Sequence, residues 1–141
     1  DGENVRLGIS KDLDFSTGGM AEHLRRVAEV ARLANEAGLI VVCAFVSPEA
    51  SLRKQVAEII GKDRFIEVYV EASSEWCEKR DKSGLYVRAR NSDLKNLAGF
   101  NAPYDVPECP SVTLAVEKIS SDEGVGKILD VLRAKGLFPS R

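Results

Sequence analysis

The sequence predicts an α/β fold in which helices cover both faces of a mainly parallel sheet. Two observations carry this prediction. Helical and strand-like patterns alternate along the chain, with room for a helix between successive strands. The run LIVVCAFV at residues 39–46 is also continuously apolar and rich in β-branched residues, as in strands that are buried on both faces of a parallel sheet.

The first half of the chain contains two predicted helices, one on each side of that strand. Apolar residues recur at helical spacing over residues 16–37, and Gly38 stands where a glycine commonly ends a helix. Ser47 and Pro48 end the predicted strand. A second helix is expected over about residues 49–60.

The second half continues the alternation. RFIEVYV at residues 64–70 predicts a strand, and Ser73 is a favourable N-cap for a short helix after it. SVTLAV at residues 111–116 predicts a last short strand. The closing segment SSDEGVGKILDVLRAKG predicts a helix, in which Ser120 and Glu123 have the spacing of a capping box.

Composition limits the classes of function. A length of 141 residues fits a single domain with its own core, and 20 basic against 22 acidic residues give a net charge of −2. This balance provides no general attraction to nucleic acid or to an anionic membrane. Three cysteines without a C-x-x-C pair and one histidine predict neither a disulfide framework nor a zinc site. We therefore expect a cytoplasmic protein.

Polar residues in two short motifs are candidates for a site. The opening DGENVR contains Asp1, Asn4 and Arg6, and FVSP places Phe45 and Ser47 at the end of the predicted strand. Polar site residues of open parallel sheets lie just past the carboxyl ends of strands, so Asp1 is expected to follow a strand as well. Both motifs also have a purely structural interpretation, as a common turn and as a strand terminator.

The long charged segment at about residues 80–110 is a predicted lid. Loops longer than about 15 residues in compact domains are usually functional or disordered. Its basic residues include Arg80, Lys82 and Arg88, which suits a site for phosphate groups. An ordinary surface excursion is the alternative.

These motifs, in this order, resemble the adenylylsulfate kinase family over essentially the whole chain. The stretches are DGENVR with KDLDFS, EVARLANEAGLIVVCAFVSP, FIEVYVEASSEWCEKRD, GLYVRAR and APYDVPECP. The resemblance implies a three-layer αβα sandwich of the P-loop NTPase type. It also implies a transferase of sulfate assimilation, which uses ATP and Mg²⁺ to phosphorylate the 3′-hydroxyl of adenosine 5′-phosphosulfate, giving 3′-phosphoadenosine 5′-phosphosulfate.

In the family, the motif that corresponds to DGENVR follows a strand, a phosphate-binding loop of the form G-x-x-x-x-G-K-[ST] and a helix. No stretch of this chain matches that loop. We therefore expect the N-terminal strand-loop-helix to be missing, so that residues 1–141 form one incomplete domain. Such a chain alone is expected to be inactive, because that loop does most of the electrostatic work of phosphoryl transfer.

The resemblance also implies roles for single residues. Asp1 would face the 3′-hydroxyl, Arg6 would pair with the phosphosulfate and Phe15 would stack on adenine. Ser47 corresponds to a serine that is treated in the family as a possible phosphorylated intermediate, although no general base is visible beside it. The candidates are Asp1 and Ser47 as catalytic residues, Asn4, Arg6, Phe15, His23, Phe45 and Leu97 for substrate, and Arg80, Lys82 and Arg88 for ATP and lid; none is a metal ligand.

The chain departs from the family pattern at the expected acceptor site. Met20 and His23 replace an arginine and an asparagine, Ser83 and Val87 replace lysines, and Leu97 replaces an aromatic residue. Two alternatives therefore stay open: a kinase for another nucleotide-linked acceptor, and a catalytically inactive binding or regulatory domain. His23 could donate a hydrogen bond to an anion or could be a helix-surface residue without a role. Small nucleotides are the expected partners, with a homodimer or a fusion to ATP sulfurylase as further possibilities.

Overall fold

A computed structural model describes residues 1–137, which form six helices and two strands within that range. They are α1 (Gly2–Leu7), α2 (Thr17–Glu36), α3 (Ala50–Ile60), β1 (Val68–Glu71), α4 (Ser74–Arg80), α5 (Leu85–Arg90), β2 (Val112–Ala115) and α6 (Ser121–Ala134). They divide into two compact units. The first unit contains residues 1–65 and 95–106, and the second unit contains residues 66–94 and those from 107 onward.

The first unit is built on the packing of α2 against α3, which confirms both helices predicted for this half of the chain. The hydroxyl of Ser16 accepts the N–H of Gly19 and caps α2, whose buried face includes Leu24, Ala28 and Ala31. Gly38 follows the helix with a φ of +85°, a left-handed conformation that favours glycine, as the sequence predicts. No described helix is both long and apolar enough to cross a membrane.

The strand predicted at residues 39–46 is not formed in the described part of the chain. The segment has no β-ladder, and its side chains are largely exposed, with Val42 at 90%. The expectation of a strand buried on both faces is therefore wrong here. An apolar, β-branched sequence favours a strand, but the backbone needs a neighbouring strand to pair with, and the described residues offer none to this segment.

The second unit contains the sheet. β1 and β2 pair in parallel, with a register from Val68 opposite Val112 to Glu71 opposite Ala115, and α6 packs on β2. The two predicted strands and the parallel α/β arrangement are confirmed, with shorter strands than the sequence predicts. α6 begins with the predicted capping box: the hydroxyl of Ser120 accepts the N–H of Glu123, and the Glu123 carboxylate accepts the N–H of Ser120.

Two short helices were not predicted. α1 occupies the opening motif, because the carboxylate of Asp1 accepts the N–H of Asn4 and caps the helix. α5 interrupts the segment that the sequence predicts to be one long loop, so that expectation is wrong at Leu85–Arg90. Its start is fixed by Asp81, whose carboxylate accepts the backbone N–H groups of Gly84 and Tyr86.

Gly19 gives a stability prediction, because Asp14 lies against the first turn of α2. A Cβ at this position would stand 2.6 Å from the carbonyl oxygen of Asp14, closer than such atoms approach in proteins. Gly19→Ala should lower the free energy of unfolding by about 1–3 kcal/mol. The neighbouring Gly18 faces open space, so Gly18→Ala should be neutral or stabilising by up to about 1 kcal/mol. Urea denaturation of both variants is the measurement, and equal stabilities would contradict the prediction.

Candidate functional site

The candidate residues for the acceptor site lie in the first unit. Asp1, the first residue of this unit, is held by Asn4. Its Oδ1 accepts the backbone N–H of Asn4 at 3.0 Å, and its Oδ2 accepts the side-chain amide of Asn4 at 3.3 Å. Asp1 also lines a hollow of about 150 Å³, together with apolar side chains such as Val5, Val27 and Phe45. The carboxylate is thus oriented by Asn4 and remains exposed, as a group that has to meet a substrate must be.

Arg6 joins the last turn of α1 to the loop that follows it. Its Nη1 donates to the carbonyl oxygens of Leu13 at 3.0 Å and Asp14 at 3.3 Å. Its guanidinium lies over the ring of Phe15, 4.1 Å from the centroid, and that ring is 67% exposed. Its Nη2 is buried and has no hydrogen-bond partner among the described residues. Arg6 therefore places its guanidinium against one face of an exposed aromatic ring, with one buried nitrogen left without a partner among the described residues.

His23 is buried on α2, with only 3% of its surface exposed. The alternative of a helix-surface residue is therefore wrong. Its ring centroid lies 5.4 Å from that of Phe45, at an interplanar angle of 55°. In the described structure, neither its Nδ1 nor the fully buried hydroxyl of Ser10 has a hydrogen-bond partner. Leaving such a group unpaired costs about 1–3 kcal/mol.

The environment of His23 keeps its imidazole neutral. Burial, and then the positive charges of Arg6 and Arg26, lower the pKa of His23 below its ordinary 6.5. A protonated His23 that donates to an anion at neutral pH is therefore disfavoured. A neutral ring still has one donor and one acceptor nitrogen, so it can take part in hydrogen bonds with uncharged groups of a nucleotide.

This lowered pKa predicts a pH dependence of stability. Below about pH 6.5 the unfolded chain takes up a proton at His23 that the folded chain resists, so the free energy of unfolding should fall as the pH decreases. The stability that depends on neutral His23 is fully present above the pKa of the unfolded state. It is lost as the pH falls through the lower pKa of the folded state. His23→Gln removes it. Urea denaturation at about pH 7.5 and about pH 5.5 should show a smaller decrease for the variant, and equal decreases would contradict the assignment.

The Ser47–Pro48 corner is held by Arg53 on the helix that follows it and by Asp105 from a distant part of the first unit. Nη1 of Arg53 donates to the carbonyl oxygens of Ser47 at 2.8 Å and Pro48 at 3.0 Å, and its Nη2 donates to that of Asp105 at 2.6 Å. The N–H of Asp105 donates to Pro48, and its carboxylate accepts the N–H of Ala50. These contacts were missed from the sequence, although Asp105 lies in the APYDVPECP stretch that carries the resemblance.

Ser47 itself shows no sign of activation in the described structure. Its hydroxyl donates to the carbonyl oxygen of Phe45 at 3.4 Å, and no described carboxylate or imidazole accepts its proton. Leu97 is half-buried in a turn of the same unit, where its N–H donates to Asn101 and its carbonyl oxygen accepts the N–H of Phe100.

The lid candidates lie in the second unit. Arg80 ends α4, and its guanidinium lies 4.2 Å from the centroid of the Trp76 ring. Lys82 and Arg88 are both exposed. The two helices are tied together by Glu78, whose carboxylate accepts two hydrogen bonds from Arg90 at 2.8 and 2.7 Å. α4 and α5 thus form one braced hairpin that carries exposed basic groups.

Burial and contacts inside this hairpin shift the pKa values of two of its residues. The bond from Arg90 lowers the pKa of Glu78. Burial, followed by a hydrogen bond with Cys77, raises the pKa of Tyr86 to about 12. Both groups therefore keep their neutral-pH charge states when the pH changes moderately. Among the described residues no group of three or more His, Cys, Asp or Glu side chains could hold a metal ion.

The parallel α/β architecture and comparison with solved structures identify the class first, a P-loop NTPase fold. The chain superimposes on the Mycobacterium tuberculosis APS kinase CysC, solved in complex with AMPPNP and APS, with a TM-score of 0.86 and 34% identity over 94% of this chain and 78% of that one. A hexameric APS kinase from Thiobacillus denitrificans gives a TM-score of 0.71 at 25% identity, over 100% of this chain and 23% of that one.

Sequence comparison then identifies the family. The profile described as Adenylylsulphate kinase matches residues 1–115, and the chain belongs to this family. An Adenylyl-sulfate kinase of Bacteroides thetaiotaomicron is 44% identical over 96% of this chain and 67% of its own length. One of Pseudomonas entomophila is 44% identical over 97% and 66%. The chain thus spans about two thirds of the length of the curated relatives that it matches, and the family predicted from the sequence is confirmed.

Proposed function

We propose that the complete protein is a kinase of sulfate assimilation, which transfers the γ-phosphate of ATP to the 3′-hydroxyl of adenosine 5′-phosphosulfate. Family membership and the likeness to an APS kinase solved with AMPPNP and APS support the proposal. The observation that carries it is the arrangement at Arg6, whose guanidinium stacks on the exposed ring of Phe15 and has one nitrogen without a hydrogen-bond partner among the described residues. This pair suits a ligand with an oxyanion next to an aromatic base.

In this proposal the first unit binds the acceptor. Phe15 offers its free face to adenine, and the guanidinium of Arg6 pairs with the phosphosulfate. Asp1 orients the 3′-hydroxyl and accepts its proton as the phosphoryl group arrives, for which the carboxylate is already fixed by Asn4. His23 and Phe45 form the inner wall of the proposed acceptor site. Ser47 and Leu97 line this site and do not react with the substrate.

Three basic residues are the candidates for the phosphates of ATP. Arg80, Lys82 and Arg88 are exposed basic groups that would stabilise charge on the phosphates of ATP. Mg²⁺ would arrive with ATP as part of the substrate. This ion usually keeps several waters and binds through one or two carboxylates plus phosphate oxygens, so the lack of a carboxylate cluster in the described residues is compatible with it.

The proposal extends to location and assembly. Free cysteines in the described structure support a cytoplasmic location, where thiols are kept reduced, and small nucleotides are the proposed partners. A homo-oligomer and a fusion to ATP sulfurylase belong to the same proposal, and a related APS kinase is named as a hexamer. Size-exclusion chromatography with light scattering measures the assembly directly.

The test is phosphate transfer by the complete gene product. With ATP, Mg²⁺ and adenosine 5′-phosphosulfate, we expect 3′-phosphoadenosine 5′-phosphosulfate as the product. ATP binding without transfer to this acceptor would contradict the proposal and favour a different nucleotide-linked acceptor. Neither ATP binding nor transfer would favour an inactive regulatory domain.

A further inference from the structure

Arg26 of α2 holds the first half of residues 8–16, here named the Phe15 loop. Nη1 of Arg26 donates to the carbonyl oxygen of Ile9 at 2.7 Å and to Oδ1 of Asp12 at 2.6 Å, and Nη2 donates to Oδ2 of Asp12 at 2.9 Å. Nε donates to Glu22 on the same helix at 2.8 Å. A guanidinium bound on three of its edges has a fixed orientation, so Arg26 fixes the first half of the loop.

The second half of the loop is fixed independently. Arg6 donates to the carbonyl oxygens of Leu13 and Asp14. The Asp14 carboxylate accepts the N–H of Ser16 at 3.1 Å and its hydroxyl proton at 2.6 Å, which ties the loop to the start of α2. Phe15 is therefore an exposed aromatic residue whose neighbours on both sides are anchored.

We propose that Arg26 is a positioning residue for acceptor recognition, acting through the Phe15 loop and not by touching the substrate. A loop that is ordered before binding spares the acceptor the cost of ordering it, and this preorganisation appears as tighter binding. The inference rests on the proposed function, because it takes adenosine 5′-phosphosulfate as the ligand of Phe15 and Arg6.

The charges in this network are retained over a wide pH range. Hydrogen bonds from Arg25 and Arg26 lower the pKa of Glu22 to about 2, and the bond from Arg26 lowers the pKa of Asp12. Asp12 is exposed and Glu22 is partly exposed, so each ion pair contributes little to stability in water. The value of the network lies in the geometry that it imposes on the loop.

A matched pair of variants tests the proposal, because Arg25 and Arg26 are neighbours that share Glu22 as a partner. The ion pairs of Arg25 in the described structure are with Glu22 and with Glu29 on its own helix, and none is with the Phe15 loop. Arg26→Gln should raise KM for adenosine 5′-phosphosulfate about 10-fold, while KM for ATP and kcat change less than about 2-fold. Arg25→Gln should leave all three constants unchanged.

Asp12→Asn is a second variant, which weakens the contact between Arg26 and Asp12 by changing the residue on the Phe15 loop. It should raise the same KM, and the double variant should show little further increase, because the two residues act through one contact. An unchanged acceptor KM in both single variants, or equal increases in KM for ATP and acceptor, would overturn the inference. That second result is what a merely structural role would give.

Failure of the proposed function gives a different result. If the complete wild-type protein binds adenosine 5′-phosphosulfate in a calorimeter but does not phosphorylate it, the proposed reaction is wrong, and the dissociation constants of the same variants decide the role of Arg26. If the wild-type protein does not bind this nucleotide at all, both proposals are overturned.

Discussion

Asp1→Asn should lower kcat for phosphate transfer by about 10²- to 10⁴-fold, the usual contribution of a positioned general base. An amide of the same size cannot take the proton from the 3′-hydroxyl, and it removes a negative charge that orients that group. KM for ATP should change little, because the substitution acts on the acceptor side. Steady-state kinetics of the complete protein with both substrates is the measurement.

The substitution separates chemistry from folding. Asparagine is as good an N-cap as aspartate, so α1 should retain its cap and the melting temperature should stay nearly constant. Glu3→Gln is the control, since Glu3 is an exposed acid in the same turn. A kcat of Asp1→Asn within a factor of about three of the wild-type value would remove Asp1 from the reaction.

Arg6→Lys should raise KM for adenosine 5′-phosphosulfate by about 100-fold. The variant keeps one positive charge, but it loses the guanidinium that stacks on Phe15, the bonds to Leu13 and Asp14, and the forked donor geometry that suits an oxyanion. Each such interaction contributes on the order of 1–3 kcal/mol, and 1.4 kcal/mol corresponds to a factor of ten. An arginine and a lysine are not equivalent at a stacked site with paired hydrogen bonds.

The control for this variant is Arg25→Lys, on the exposed face of α2, where a flexible cation is sufficient. The acceptor KM of that variant should match the wild-type value. If Arg6→Lys also binds the acceptor normally, then Arg6 serves only to hold residues 13–14, and the acceptor site must lie elsewhere.

Local signals predicted much of the fold. Gly38 marked the end of α2, and Ser120 with Glu123 marked the start of α6, because caps and stops depend on residues a few positions apart. The strand pair was recognised from its apolar sequence. Residues 39–46 have an equally strong strand sequence, yet they form no ladder in the described structure, since pairing depends on a neighbour that a sequence pattern does not reveal.

The sequence predicted which residues belong to the site better than it predicted the contacts that hold them. The family resemblance named Asp1, Arg6 and Phe15, and the structure adds how they are held. The anchor of Arg26 on Asp12 and the anchor of Arg53 on Asp105 join residues 14 and 52 positions apart. No spacing rule connects such pairs. The burial of His23 was missed for the same reason, because it depends on packing against Phe45 from another segment.

The most direct test of the central claim follows the labelled γ-phosphate of ATP. Incubated with the complete protein and adenosine 5′-phosphosulfate, the label should appear on the 3′-oxygen of the acceptor and nowhere else on it. The 3′-deoxy analogue should bind but receive no label. Label on the deoxy analogue, or no label on the natural acceptor under conditions where ATP is bound, would contradict the account.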